Sequence, residues 1–147
     1  MPLVGPLLYR GTTIGWPGSQ ALQAAGVTPM TTDPLVATLF ALECLRHGPA
    51  IVQFCERGRV AGILLPGNVL ADLEKEEVVS GSPAEFREHY ATGSIGARAS
   101  RELLAELGYE LPPTVADKFD LHRLLKTTPR LKIGELQEFK RRVVEGR

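Results

Sequence analysis

Short apolar and alternating runs predict a first half of the chain that is rich in β structure. Residues 7–12 alternate apolar and polar side chains, residues 27–32 form a short β run, and residues 50–56 are mostly apolar. Such runs, bounded by glycine and proline, are typical of strands. We expect residues 60–65 to pair with 50–56 like a hairpin, and residues 74–79 to form a strand in which acidic side chains run into two valines.

Helical patterns fill most of the rest. Asp33 can cap a helix that opens with Pro34 and runs to about His47, with apolar residues on one face. The later helices are expected at residues 83–90, 100–107, 115–125 and 135–145, and a short one at residues 19–25. Strands followed by helices on a chain of 147 residues predict a single α+β domain.

Composition narrows the class of protein. No apolar run approaches the roughly 18 residues that a membrane span needs, so no membrane is expected among the partners. Two cysteines are too few for a disulfide framework, and Cys44 and Cys55 are expected to be buried thiols in a reducing cytoplasm. His89 and His122 have no cysteine or paired carboxylate at ligand spacing, which predicts no metal site.

Charge argues against a dedicated nucleic-acid binder, because the net charge is zero. From Lys118 onward, however, nine Lys or Arg stand against four Asp or Glu, a net charge of +5. A basic tail of this kind is either a solvated helix face or a contact surface for an anionic partner.

Three polar features interrupt the predicted strands. Arg10 is either an edge residue or an anion clamp, since a guanidinium can grip a phosphate with two parallel hydrogen bonds. Gly11 beside it would let a ligand approach the backbone. Thr31 and Thr32 end a strand just before a capped helix, where hydroxyls can meet a ligand or simply precede the cap. The acidic residues 74–77 are either a solvated edge or functional carboxylates.

The order of these features resembles the ADP-ribosyltransferase superfamily, particularly its arginine–serine–glutamate branch. Tyr-Arg-Gly lies in the first strand, D-P-L-V-A-T-L-F-A follows the strand-end hydroxyls, and Glu77 directly precedes Val78. The resemblance covers about residues 7–80. It implies a split, mainly antiparallel sheet of six or seven strands with flanking helices. The core would span about residues 1–82 and a helical extension about residues 83–147.

The resemblance also implies roles for single residues. Arg10 would bind the phosphates or ribose of NAD, Thr31 and Thr32 would order the ribose pocket and the catalytic glutamate, and Glu77 would be that glutamate. The residues that flank Arg10, namely Tyr9, Gly11 and Thr12, would add contacts to NAD, with Trp16 as a possible pocket wall.

Two positions depart from the family pattern. Threonine stands where serine is usual, which keeps a donor and an acceptor. The family often has Glu-x-Glu, but Lys75 lies two residues before Glu77. A shift of one residue would pair Glu74 with Glu76 instead, so Glu76 is a second candidate for catalysis, and the face to which each points decides between them.

The expected function is NAD-dependent mono-ADP-ribosyl transfer, or hydrolysis of NAD by a toxin-like variant, with NAD as substrate. The acceptor is open: a protein, a nucleic acid, a small molecule or water. A neutralising partner protein or a homodimer would fit such a protein. The alternatives are a catalytically silent protein of the same fold, which binds a nucleotide or a partner, and an unrelated α+β interaction protein.

Overall fold

The computed structural model of the chain describes residues 5–13 and 26–146. Trp16 and the helix expected at residues 19–25 lie outside that part. The described residues form six strands, β1 (Leu7–Thr13), β2 (Val27–Thr31), β3 (Ala50–Glu56), β4 (Ile63–Leu64), β5 (Glu76–Ser80) and β6 (Gly93–Gly96). The helices are α1 (Pro34–Cys44), α2 (Val69–Glu74), α3 (Pro83–Glu85, continued by a π-helical turn over Phe86–Tyr90), α4 (Ala97–Glu106), α5 (Lys118–Thr127) and α6 (Ile133–Glu145).

The strands form one antiparallel sheet in the order β4-β5-β2-β1-β3-β6. The prediction of an α+β fold with an antiparallel sheet and flanking helices is therefore confirmed. β1 pairs with β3 along its whole length, from Leu7 with Glu56 to Thr13 with Ala50. It pairs with β2 only where Tyr9 meets Thr31. The described strands thus form two well-paired halves that meet at a single point between β1 and β2.

Helix α1 is the centre of the packing. Asp33 caps it as predicted, with its Oδ1 accepting from the Leu35 N–H at 2.9 Å, and Pro34 occupies its first turn. Every residue of α1 except Phe40 is buried, because the sheet lies on one side and the C-terminal helices on the other. A helix that is buried all round needs no polar face, which fits its almost wholly apolar sequence.

The C-terminal helices share the core of the sheet. Phe139 of α6 is fully buried, and its ring meets that of Tyr9 edge-on at 5.8 Å. Leu104 of α4 and Leu125 of α5 belong to the same apolar cluster. The segment predicted as a helical extension therefore packs on the first half of the chain. Two of its helices begin three residues away from the predicted starts at residues 100 and 115. Helix α4 starts at Ala97, and α5 starts at Lys118.

The prediction that residues 60–65 pair with 50–56 is wrong. β4 pairs with β5, at the opposite edge of the sheet from β3. Both edges of β3 are already taken by β1 and β6, so no edge is left for a hairpin partner. The chain turns away through a 3₁₀ turn at Arg57–Arg59, and the Gly62 carbonyl accepts from the Ser80 N–H at 3.0 Å.

β6 was not expected, because its sequence Gly-Ser-Ile-Gly has little β propensity. The Phe54 ring leaves no room for a side chain at position 93. A Cβ on Gly93, which pairs with Phe54, would lie 2.4 Å from the phenyl ring. The ring of Phe54 on β3 covers Gly93 on the edge strand β6. A segment whose sequence is typical of a loop therefore adds a strand to the sheet.

Candidate functional site on the arginine face of the sheet

Alternate residues of each strand point to opposite faces, so the register assigns every candidate residue to one face. Tyr9, Gly11 and Thr31 belong to the face covered by α1, here called the helix face. Arg10 lies opposite Gln53, and Met30 lies opposite Glu77. These four residues belong to the other face, here called the arginine face. The single pairing of Tyr9 with Thr31 brings Arg10 next to Met30.

The four residues of the arginine face make a row across four strands: Gln53 on β3, Arg10 on β1, Met30 on β2 and Glu77 on β5. Neighbouring strands lie about 4.8 Å apart, so the backbones of Arg10 and Glu77 are separated by roughly 10 Å. Between them lies the thinly paired junction of β1 with β2. A cation and a carboxylate thus stand on either side of the point where the sheet divides.

Arg10 is half-buried on a central strand. Within the described residues, its guanidinium has no hydrogen bond and no carboxylate partner. Burial lowers the pKa of Arg10; the Cys44 thiol opposes this shift, and Arg87 adds to it. A guanidinium held away from solvent without a counter-charge favours an anion at this position, because charge buried without a partner is costly.

Glu77 has the second charge of the row. Its side chain is 11% exposed, and its Oε1 accepts from the Nε of Arg57 at 2.7 Å. Arg57 lies in the 3₁₀ turn after β3 and is itself 39% exposed. In the described part of the chain, the other carboxylate oxygen of Glu77 has no partner. One oxygen is therefore fixed by Arg57, and the other can accept from a ligand.

Thr31 points to the helix face. Its hydroxyl donates to the Glu74 carbonyl at 2.7 Å and accepts from the Asp33 N–H at 3.1 Å. Both contacts are to backbone, so the hydroxyl joins the end of β2 to the end of α2. Thr32 follows, with its N–H donating to the Lys75 carbonyl at 3.3 Å. The structure therefore places the Thr31 hydroxyl beside the turn before β5, on the face opposite to Arg10.

Glu76 lies opposite Thr31 and shares its face. Its carboxyl group also meets that of Glu74, because Lys75 between them ends α2 in the left-handed conformation (φ 53°). Burial raises the pKa of Glu74 to about 7, with the charge and the hydrogen bond of Glu76 adding to the shift and Lys118 opposing it. Glu76 and Glu77 thus belong to two separate carboxylate sites on opposite faces.

The residues that flank Arg10 divide between the faces. Tyr9 is 3% exposed and packs on Phe139. Gly11 lies under α1, and a Cβ there would come within 2.1 Å of the Ala37 carbonyl oxygen. Its lack of a side chain therefore serves the approach of the helix, rather than the approach of a ligand predicted from sequence. Thr12 shares the face of Arg10 and is half-buried.

Two residues of this region were missed in the sequence. Gln53 interrupts an otherwise apolar strand, as Arg10 does, and that interruption was an available signal. No motif in the sequence singles out Arg57. Its contact with Glu77 joins residues 20 positions apart, and nothing in their spacing indicates it.

The cavity described in this structure lies away from the arginine face. A cavity of about 480 Å³ is lined by Phe54, Gly93 and the end of α6, on the helix face. No group of three or more His, Cys, Asp or Glu side chains in residues 5–13 and 26–146 is arranged to hold a metal ion. Among the described helices, none is both long enough and apolar enough to cross a membrane.

Comparisons of the chain with protein-family models, with curated proteins and with solved structures found no match.

Proposed function

We propose that the protein is an NAD-dependent ADP-ribosyltransferase of ADP-ribosyltransferase-like fold, and that its substrate binds across the arginine face. The observation that carries the proposal is the row itself. Half-buried Arg10, without a partner in the described chain, and Glu77, with one carboxylate oxygen free, stand on one face at either side of the β1–β2 junction.

Arg10 would hold the pyrophosphate of NAD. A guanidinium offers several N–H donors in a plane and binds phosphate oxygens with two parallel bonds. Its half-burial strengthens the interaction, because a phosphate that replaces water there meets a charge in a region of lower dielectric. Fixing the pyrophosphate holds the dinucleotide still while the nicotinamide departs.

Glu77 would act on the nicotinamide ribose. When the bond between nicotinamide and C1 of the ribose breaks, its electron pair leaves with nicotinamide and positive charge develops on the sugar. A carboxylate that accepts from a ribose hydroxyl stabilises that charge and orients the sugar, as carboxylates do in glycoside hydrolysis. The acceptor then forms a new bond to C1 and loses its proton.

The orientation of Glu77 would come from Arg57. Met30 is the β2 residue opposite Glu77, and its thioether is at best a weak acceptor. The Thr31 hydroxyl donates to the Glu74 carbonyl on the opposite face instead, and Thr32 contacts Lys75 through its backbone N–H. In this chain, therefore, a guanidinium takes the positioning role that the family resemblance implied for a hydroxyl.

A catalytically silent protein of the same fold is the second candidate. The Arg57–Glu77 ion pair supports it, because the guanidinium neutralises the carboxylate that would stabilise the sugar cation. Such a protein would bind NAD or a related nucleotide through Arg10 without cleaving it.

The molecule that accepts the ADP-ribose group decides which activity the protein would have. Water as acceptor would make the protein a toxin-like NAD glycohydrolase, and such an activity calls for a neutralising partner. A protein, nucleic acid or small molecule would make it a transferase. Cys44 and Cys55 are both buried and unpaired. Free thiols are typical of a reducing compartment such as the cytoplasm, where NAD is abundant.

The test is release of nicotinamide from NAD by the purified protein and by Glu77→Gln and Glu76→Gln variants. We expect turnover that falls at least about 100-fold in Glu77→Gln, the scale of losing one electrostatic stabiliser of a transition state. Glu76→Gln is the matched control, because it makes the same change one residue away on the opposite face.

Arg10→Gln separates the two candidates. NAD binding that is weakened by Arg10→Gln, without nicotinamide release from the unmodified protein, would favour the silent protein. Turnover lost in Glu76→Gln and kept in Glu77→Gln would move the catalytic site to the helix face. If NAD neither binds nor is cleaved, both candidates are rejected.

A further inference from the structure

The segment that joins β5 to β6 crosses the arginine face. Strands β2, β1 and β3 separate β5 from β6 in the sheet, so residues 81–92 pass over these three strands. Phe86 fixes the face that they cross, because it is fully buried in one apolar cluster with Leu8 and Met30. Both of those residues lie on the arginine face, two positions before Arg10 on β1 and beside it on β2. The π-helical turn after α3 is therefore packed beside Arg10.

Hydrogen bonds hold both ends of this segment to the sheet. At its start, the Thr28 hydroxyl donates to the Gly81 carbonyl at 2.9 Å. At its end, the Thr92 N–H donates to the Phe54 carbonyl at 2.9 Å. Arg87 directly follows the buried phenylalanine of the turn, so its backbone is fixed over the sheet between two anchored ends.

Arg87 brings a second positive charge to Arg10. Burial is the main cause that lowers the pKa of Arg10, Cys44 opposes the shift, and the charge of Arg87 lowers the pKa further. Among the described residues, neither guanidinium has a hydrogen bond or a carboxylate partner. Two cations that repel each other without a counter-charge destabilise the free protein, and an anion between them would remove that cost.

Solvent reaches both guanidinium groups. Arg87 is exposed, and Arg10 is half-buried. In the described part of the chain, the buried side-chain oxygen and nitrogen atoms that lack a hydrogen-bond partner belong to Thr13, Glu43 and Gln53. The nitrogens of Arg10 also lack a partner but are not among those buried atoms, so they are accessible. An anion from solvent can therefore contact both arginines without entering a closed cavity.

We propose that Arg10 and Arg87 together bind a pyrophosphate group, with Arg10 as the inner and Arg87 as the outer guanidinium of one anion site. Each planar guanidinium can bind one of the two phosphates through two parallel hydrogen bonds. The assignment of this pyrophosphate to NAD rests on the proposed function. Arg87 is then a binding residue outside residues 7–80, the part of the chain to which the family resemblance applies.

The test is calorimetric titration of the unmodified protein, Arg87→Gln and Arg10→Gln with inorganic pyrophosphate and with ADP-ribose, together with thermal melting without ligand. ADP-ribose has the pyrophosphate of NAD but not the nicotinamide bond, so no turnover disturbs the titration. Arg98→Gln is the matched control. It removes an equally exposed positive charge from α4, which packs on the helix face.

We expect Arg87→Gln to weaken the binding of both ligands about five- to twentyfold, on the scale of losing a charge-assisted hydrogen bond. Arg98→Gln should change either affinity by less than about twofold, because salt screens distant charges. Arg87→Lys keeps the charge without the planar fork and should retain part of the affinity. The melting temperature of Arg87→Gln without ligand should be at or above that of the unmodified protein, since a repulsion is removed. Affinities in Arg87→Gln that match those in Arg98→Gln would overturn the inference.

The two ligands separate this inference from the proposed function. Pyrophosphate binding that is weakened by both Arg10→Gln and Arg87→Gln, without binding or cleavage of NAD, would support the anion site and reject the proposed function. Turnover of NAD together with an unchanged ADP-ribose affinity in Arg87→Gln would reject this inference alone. An unmodified protein that binds neither pyrophosphate nor ADP-ribose and leaves NAD intact would reject both.

Discussion

The two faces of the sheet are built by different rules, although they share the same strands. On the helix face, Tyr9 packs on Phe139 and Gly11 lies directly under α1, within one continuous core. On the arginine face, the apolar cluster is small: Leu8, Met30, Cys55, Val79 and Phe86. Beside it stand the polar side chains of Arg10, Gln53 and Glu77.

The difference teaches how to interpret a motif on a strand. Tyr-Arg-Gly is one string in the sequence, but its first and third residues serve packing and only the second faces the candidate site. Met30 and Thr31 divide in the same way, as do Glu76 and Glu77. A resemblance carried by consecutive residues must therefore be divided by face before roles are assigned.

Among the substitutions that test the difference between the two faces, Gly11→Ala is expected to have the largest effect on stability. The added Cβ would lie 2.1 Å from the Ala37 oxygen and 2.6 Å from the Ala41 nitrogen, both backbone atoms of α1 that cannot rotate away. We expect a loss of about 3 kcal/mol or more in the free energy of unfolding, measured with denaturant, because overpacking forces the backbone to shift.

Gly134→Ala is the matched control. It adds the same methyl group in the first turn of α6, where nothing lies within 4 Å, and should stabilise the protein by up to about 1 kcal/mol. A Gly11→Ala protein as stable as the original, but unable to bind NAD, would instead assign Gly11 to the ligand.

Thr31→Val tests whether the strand-end hydroxyl is structural. The substitution keeps the shape and removes the bonds to the Glu74 carbonyl and the Asp33 N–H, leaving both backbone groups buried without partners. We expect a loss of about 2 kcal/mol in unfolding free energy. NAD affinity, measured at a temperature where the variant is folded, should be unchanged.

Thr31→Ser keeps the hydroxyl and should retain most of the stability. A Thr31→Val protein that remains stable but binds NAD poorly would place the hydroxyl in the ribose pocket.

The carboxyl pair on the helix face predicts a pH dependence of stability. Burial raises the pKa of Glu74 from its ordinary value of 4.5 to about 7 in the folded protein, so folding favours the protonated form. The folded chain therefore retains a proton that the unfolded chain releases, and stability falls as pH rises from about 4.5 to 7. Unfolding in denaturant at pH 5 and pH 8 should differ by on the order of 1 kcal/mol.

Glu74→Gln should remove most of this slope, because the amide stays neutral at both pH values. Glu102→Gln, at an exposed position of α4, should leave the slope as it is. A slope that survives in Glu74→Gln would assign the pH dependence to other groups.

Sequence patterns correctly predicted the features of this fold that depend on neighbouring residues. They missed the features that depend on contacts between segments far apart in the sequence. The cap at Asp33, the opening of α1 at Pro34 and the alternation of Glu76 with Glu77 follow from neighbouring residues. The pairing of β4 with β5 and the strand at Gly93 depend on which edges are free and on the ring of Phe54. No periodicity within those segments records such contacts.

The candidate site divides in the same way. Arg10 stood out as a charge inside an apolar strand. The face to which Thr31 points required the register of β2 with β5. The positioning of Glu77 required a contact from a turn that belongs to another strand.

Arg57→Ala is expected to have the smallest effect on stability of the substitutions considered, and it tests directly whether Arg57 positions Glu77 on the arginine face. Arg57 is 39% exposed, so water can replace part of its contact, but the buried carboxylate of Glu77 loses its charged partner, and unfolding free energy should fall by up to about 1 kcal/mol. If Arg57 positions Glu77, kcat for nicotinamide release should fall several-fold while KM for NAD stays nearly constant, since only the sugar cation gains from an oriented carboxylate.

Arg57→Lys keeps a positive charge without the planar fork and should recover part of the rate. A rise in kcat on Arg57→Ala would mean that the guanidinium restrains Glu77 from the substrate, and the ion pair would then act as a lock on the carboxylate of the arginine face.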